Sequence, residues 1–224
     1  MASYSAGGPI QETILVNIPL NSSQFGTATF YTISESDSWS QAANQFTWMQ
    51  QERLHLQPIL GAQLPLLGIG IRKSGMISMP AESATLDLST PYIHVPKGIW
   101  DVLLLATSTE QQARDGNEML YVDCGAFNIF PDLVFGVERE DFEGGAEEND
   151  GENEEDDDDD VDELVVKPEQ YILQTADGRC MLLARNADSC HDDRGIIKLG
   201  WAAVRGRDVV LDWHGSRVGF EKQA

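Results

Sequence analysis

Apolar residues in this chain fall in short runs that alternate or cluster over a few positions and then stop at Gly, Pro, Asp or Asn. Such runs are the mark of strands rather than helices. They predict strands over residues 27–33 (TATFYTI), 66–71, 84–88, 92–95, 132–137, 171–174 and 208–213. Two stretches carry a helical spacing instead. Residues 97–107 follow Pro96 and read KGIWDVLLLAT, and residues 40–51 read SQAANQFTWMQQ. The pattern as a whole is that of an all-β chain with one or two short helices.

One segment breaks the pattern. Residues 138–163 read EREDFEGGAEENDGENEEDDDDDVDE and hold almost no apolar side chains. Of the 37 acids and 15 bases in the 224 residues, 17 acids and one base lie there. The remainder has 20 acids and 14 bases, so a formal net charge of −22 falls to −6 once the run is set aside. A run of this kind cannot bury enough surface to offset its ordering entropy, which predicts a disordered acidic insertion. Strand-like sequence on both sides places it within one domain. Electrostatic contact with basic partners or cations is one use for it, and a solubilising surface loop is the plainer one.

Charge and hydropathy then exclude classes of function. A nucleic-acid binder needs a basic surface, and the chain has no basic block. The longest apolar runs, residues 14–18, 102–106 and 209–211, fall far short of the ~20 residues of a membrane span. At 42% hydrophobic residues the chain can bury a sizeable core. Its first twenty residues have no basic region, and their apolar patch is broken by Asn17 and Pro19. That is not a secretory-signal pattern. At face value it predicts a cytoplasmic chain, the alternative being a start that lies further upstream.

Candidate chemistry is sparse. His55, His94, His191 and His214 are dispersed, and no Cys or Ser beside them is placed as a nucleophile. Cys124, Cys180 and Cys190 fit no CxxC spacing. Asp188, Cys190, His191, Asp192 and Asp193 are ligand-type residues, but a hydrophilic loop explains them as well. The run 156–160 lacks the Gly and the terminal Glu of a calcium loop. The expectation is a protein with no metal and no cofactor. Asp87 stands apart: it ends an apolar strand in ATLDLSTPYIHVP and is followed by Ser89 and Thr90, a setting that holds a carboxylate in a turn.

Three segments, taken in order, resemble the C-terminal lobe of the pepsin-like aspartic proteases. Residues 84–96, ATLDLSTPYIHVP, are similar to the strand and turn that deliver that family's second catalytic aspartate, with Asp87 in its place and Ser89 and Thr90 in the turn. In residues 121–138, Cys124 precedes Phe130-Pro131-Asp132-Leu133-Val134-Phe135, which looks like the family's Cys and its Leu-Pro-Asp-apolar-apolar-Phe strand. The third segment has Pro168, Tyr171, Ile172, Leu173 and Cys180, then Leu199-Gly200, Val209 to Asp212 and Arg217 to Phe220, in the order of the family's ending.

The resemblance implies an all-β lobe of bent, barrel-like sheets over residues 66–222, interrupted by the acidic insertion. Residues 1–65 are then a strand-rich segment, either the end of an eroded first lobe or an unrelated extension. It implies a Cys124–Cys180 disulfide with Cys190 left over. It also implies a polypeptide substrate, hydrolysed by a water held between two aspartates that share a proton, one from each lobe. The family is usually secreted or vacuolar.

The chain departs from the family at the turn itself. Leu88 stands where a Thr or Ser hydroxyl is usual, and Ser89 where a Gly is usual. No Asp-Thr-Gly or Asp-Ser-Gly occurs anywhere, so the partner aspartate has no counterpart in this chain. The function implied is that of an aspartic-type endopeptidase-like protein, inactive as a single chain unless a first lobe or a second copy supplies the other carboxylate. The alternative is a non-catalytic peptide- or protein-binding module derived from such a protease.

Overall fold

A computed structural model describes residues 12–20, 26–32, 45–50, 62–73, 75–107, 110–114, 117–138, 161–189, 196–212 and 216–222. The strands in chain order are β1 (Glu12–Asn17), β2 (Thr27–Thr32), β3 (Phe46–Gln50), β4 (Ala62–Pro65), β5 (Gly68–Arg72), β6 (Met76–Pro80), β7 (Ser83–Leu86), β8 (Ile93–Val95) and β9 (Glu110–Arg114). They continue as β10 (Asn117–Val122), β11 (Asp132–Glu138), β12 (Val161–Val166), β13 (Ile172–Gln174), β14 (Cys180–Leu182), β15 (Ala184–Asn186), β16 (Ile197–Leu199), β17 (Asp208–Asp212) and β18 (Arg217–Glu221). Among the described residues two α-helices join them, α1 (Lys97–Thr107) and the single turn α2 (Pro168–Tyr171). The described chain is mostly β, as the pattern of short apolar runs predicts.

Among the described residues the strands form four open sheets, ordered β2-β1-β17-β18-β3, β13-β14-β10-β9, β12-β11-β5-β6 and β15-β8-β16-β7-β4. The barrel-like closure that the resemblance implies is not found among the described residues. The first sheet draws on both ends of the chain, because β1 pairs with β17 and β3 with β18. Ile14 of β1 and Met49 of β3 pack into the same core as Leu133 and Phe135 of β11, Leu164 of β12 and Leu103 of α1.

α1 forms where its spacing predicts. Ile99, Leu103 and Thr107 recur every four residues and are buried, while Leu105 on the opposite side is 83% exposed. The other expected helix is overturned: Phe46–Gln50, within residues 40–51, is strand β3. The reason is tertiary. Trp48 lies opposite Gly219 of β18, and a side-chain carbon on that glycine would come within 2.8 Å of the indole ring. The Arg217 guanidinium stacks 4.5 Å from the centre of the same ring. An aromatic that finds such a partner across a sheet outweighs a weak local preference for helix.

Of the acidic run, only the two ends fall within the described residues. Glu138 closes β11 and Val161 opens β12, directly paired. Residues 139–160, with the expected disorder, lie outside the described residues.

Cys124 begins a 3-10 turn capped by Asp123, whose carboxylate accepts from the Gly125 amide at 2.8 Å. It is bonded to Cys180 of β14, with a Cα–Cα distance of 5.3 Å and a sequence separation of 56. Closing a loop of that length in the unfolded chain is worth about 4 kcal/mol. Replacing both cysteines by serine is expected to lower the unfolding free energy by about that amount, measured by urea denaturation beside the oxidised parent.

Tyr171 ends α2 fully buried, and its hydroxyl donates to the Pro131 carbonyl at 2.6 Å. Burial raises its pKa far above the tyrosine range, and Asp132 and Glu169 add to the shift. A folded-state pKa raised above the unfolded value gives stability that is complete below the unfolded value, about 10, and is lost as pH climbs beyond it. Tyr171→Phe is expected to cost about 1–2 kcal/mol near neutrality through the orphaned carbonyl. It should also flatten the alkaline fall in stability, read as the pH dependence of the urea midpoint.

Candidate functional site

Asp87 follows β7, whose Ala84 and Leu86 point into the core while Thr85 does not. The chain turns at once: the Thr90 amide reaches back to the Asp87 carbonyl at 3.4 Å. Inside this turn the Asp87 carboxylate accepts from the Ser89 amide at 3.0 Å and from the Ser89 hydroxyl at 2.5 Å. These bonds make an Asx-type turn, in which a short acid caps its own backbone. The Tyr92 amide donates to the Thr90 hydroxyl oxygen at 3.3 Å.

The turn is fixed from below by β16 and the residues after it. The Asp87 amide donates to the Leu199 carbonyl at 3.0 Å, the Trp201 amide to Thr90 at 2.9 Å and the Ala202 amide to Pro91 at 3.3 Å. Gly200 lies between these bonds. A side-chain carbon there would sit 2.3 Å from the Tyr92 carbonyl oxygen and 2.7 Å from that of Thr90. Only glycine permits this approach of two backbones.

Leu88 is half-buried and packs against the main core rather than offering a hydroxyl. Ser89 keeps the amide that a glycine would supply. Among the described non-glycine residues only Ser216 has a positive φ, so the backbone at Ser89 does not demand glycine. The hydrogen bonds to the Asp87 carboxylate come from Ser89, and no second carboxylate among the described residues is bonded to it. A groove of about 700 Å³ opens nearby, lined by residues that include Gln63, Leu66, Ser83, Thr85 and Pro96, and Asp87 is not among them.

The other sequence candidates are scattered. His94 is in β8, 8% exposed. Asp188 is exposed just after β15, while Cys190 to Asp193, His55, His214 and the run 156–160 lie outside the described residues. Among the described residues no three of His, Cys, Asp or Glu converge as metal ligands. No described helix is long and apolar enough to cross a membrane.

A buried polar knot has no counterpart among the sequence-based expectations. Gln170, Arg205 and Arg207 are at most 4% exposed. The Gln170 amide donates to the Arg205 carbonyl at 2.6 Å, and its side-chain oxygen accepts from the Lys167 amide and from Arg207 at 3.0 Å. Arg205 donates to the carbonyls of Leu20, Gln170 and Ile172, and Arg207 also to that of Val165. Desolvation lowers both guanidinium pKa values, that of Arg207 to about 10 against the pull of Glu221. The available signal was two arginines set one residue apart in the otherwise apolar stretch AAVRGRDVVL.

Compared with known proteins, the chain matches no family model, and no curated protein matches it either.

Because the Asp87 turn rests on Gly200, Gly200→Ala is expected to displace it. Backbone rather than side chain surrounds the added methyl, so about 1–3 kcal/mol of stability should be lost. Amide shifts at residues 87–92 should move, as checked by heteronuclear NMR beside a thermal melt.

Proposed function

We propose that the chain is one lobe of an aspartic-endopeptidase-like protein, with Asp87 as its single catalytic aspartate. The observation that carries this reading is the Asp87 turn, a carboxylate held at a strand end by Ser89 and clamped to Leu199 and Trp201. Hydrolysis by this chemistry needs a second carboxylate close enough to share one proton, so that one group acts as base and the other as acid. A first lobe or a second copy related by a two-fold axis would supply it, the substrate being an extended polypeptide.

The alternative is a catalytically silent relative that holds an extended peptide by strand-type contacts. Leu88 favours it, because a leucine packed on the core cannot donate the cross-lobe hydrogen bond of a Thr or Ser at that position.

Cleavage of an unfolded protein at about pH 3–5, where a carboxylate pair holds one proton, separates the two. The protease reading expects cleavage that Asp87→Asn reduces by at least about a hundredfold, as for loss of an acid–base group. Peptide binding indifferent to Asp87→Asn, with no cleavage by the parent chain, would establish the silent module and remove the enzyme.

A further inference from the structure

Two sheet edges meet at Thr47 and Asp162. β12 ends the sheet β12-β11-β5-β6, and β3 ends the sheet β2-β1-β17-β18-β3. The Thr47 hydroxyl of β3 donates to the Asp162 carboxylate of β12 at 3.2 Å, and the Lys222 ammonium, just after β18, reaches the same oxygen at 3.0 Å. Where the edges meet lies a cavity of about 390 Å³, lined by residues that include Asp162, Glu163, Arg207, Glu221 and Lys222. No residue of the Asp87 turn lines it. The outer edge of β12 is capped here: the Val165 carbonyl accepts from Arg207, and the Glu163 amide donates to the Asp162 carboxylate at 3.0 Å. Capping of this kind disfavours an added strand, so the cavity suits a small ligand and not a further length of chain.

Arg207 is 3% exposed and lines this cavity. Its hydrogen bonds leave from Nη2, to Val165 and Gln170. Nη1 therefore keeps its donors among the described residues, and Nε is buried with no hydrogen-bond partner there. A guanidinium withdrawn from water with donors unused attracts an oxyanion. Glu221 is near enough to oppose the lowering of the Arg207 pKa, yet its Oε2 accepts from the Asp208 amide at 2.9 Å. Its Oε1 takes no hydrogen bond among the described residues, and neither does Oε1 of Glu163, whose Oε2 holds Arg72 at 2.7 Å. The cavity thus has free donors on one residue and free acceptors on two. Asp162, Glu163 and Glu221 against Arg207 and Lys222 leave its lining one charge negative. A lone anion meets three carboxylates there, and a lone cation meets the buried guanidinium.

We propose that this cavity binds a small zwitterion of the amino-acid type, its carboxylate on Arg207 and its ammonium on Glu221 and Glu163. Both ends of such a molecule meet the opposite charge, which is what electrostatic complementarity requires. A carboxylate at Nη1 also offsets part of the cost of burying the guanidinium. The volume lies near the lower end of the ~300–1,000 Å³ range of ligand pockets, in keeping with a ligand of this size. Asp162 and Lys222 satisfy one another at the rim, so the site asks nothing of them. It is separate from the Asp87 turn and stands whether or not the chain hydrolyses peptides.

The test is titration of the full chain with glycine, β-alanine and γ-aminobutyrate, beside propionate and ethylamine as the separate halves, followed by calorimetry and thermal shift. Saturable binding of at least one zwitterion is expected, tighter than that of either half. Tightest binding of glycine assigns the site to α-amino acids, and tightest binding of γ-aminobutyrate assigns it to ligands with a wider charge separation. Affinity should fall by about tenfold or more in Glu221→Gln, as for loss of a charge-assisted bond, and in the same direction in Glu163→Gln. Heteronuclear NMR on the unmodified chain keeps the test valid if a variant fails to fold: shifts should centre on residues 161–163, 207 and 221–222. Absence of binding by all three zwitterions, propionate or ethylamine binding as tightly as they do, affinity unchanged in both variants, or shifts elsewhere would overturn the proposal.

Discussion

β16 lies between β7 and β8, parallel to the first and antiparallel to the second. The chain that leaves β7 at Leu86 must therefore pass over the end of β16 before it can enter β8 at Ile93. The crossing segment contains Asp87, Ser89 and Thr90, and β16 and its extension hold it with backbone bonds from Leu199, Trp201 and Ala202. Two backbones cross there at a distance that leaves no room for a side chain on Gly200. The carboxylate is thus placed by main-chain geometry. Ser89 then fixes its orientation locally, so the turn does not need the glycine that the resemblance leads one to seek.

The same crossing organises the next stretch of chain. After Gly200 the backbone makes a 3-10 turn over Trp201–Val204 and delivers Arg205 and Arg207 into the interior. Buried guanidinium groups are costly unless their donors are used. Here carbonyls do most of that work: Leu20 beyond β1, Val165 in β12, and Gln170 and Ile172 around α2. The Arg207 Nε is left buried with no hydrogen-bond partner among the described residues, and desolvation lowers the pKa of that side chain. The knot ties segments distant in sequence to one point, including a residue from the first twenty. It thereby reinforces the sheet and core that β1 and β3 share with the end of the chain.

Local chemistry decides which features could be seen in the sequence. α1 was legible because its buried residues recur at four-residue spacing after a proline, and the Asp87 turn because Asp, Ser and Thr cap turns by themselves. β3 was not legible, since its aromatic residues answer to β18, at the other end of the chain. The alignment of Arg185, His94 and Lys198 across β15, β8 and β16 was invisible for the same reason. Arg185, His94 and Lys198 are ordinary residues in three separate stretches, and only register makes them neighbours. The resemblance to a protease lobe pointed to Asp87 but carried no information about the face that Lys198 shares with Thr85.

The acidic run bears on the fold through its ends. Glu138 and Val161 are opposite one another in an antiparallel pair, so the chain leaves and re-enters the sheet at adjacent positions. The entropy of closing a loop rises only with the logarithm of its length, about 0.6 kcal/mol for each doubling. A long insertion at such a position therefore costs little more than a short one. It also lies between Cys124 and Cys180, whose bond joins the segments before β11 and after β12 without involving the sheet edge at all. The fold can thus carry most of the molecule's net negative charge in this run without the Asp87 turn or the buried arginine knot drawing on it among the described residues. Pairing at Glu138 and Val161 fixes where the run leaves and rejoins the sheet.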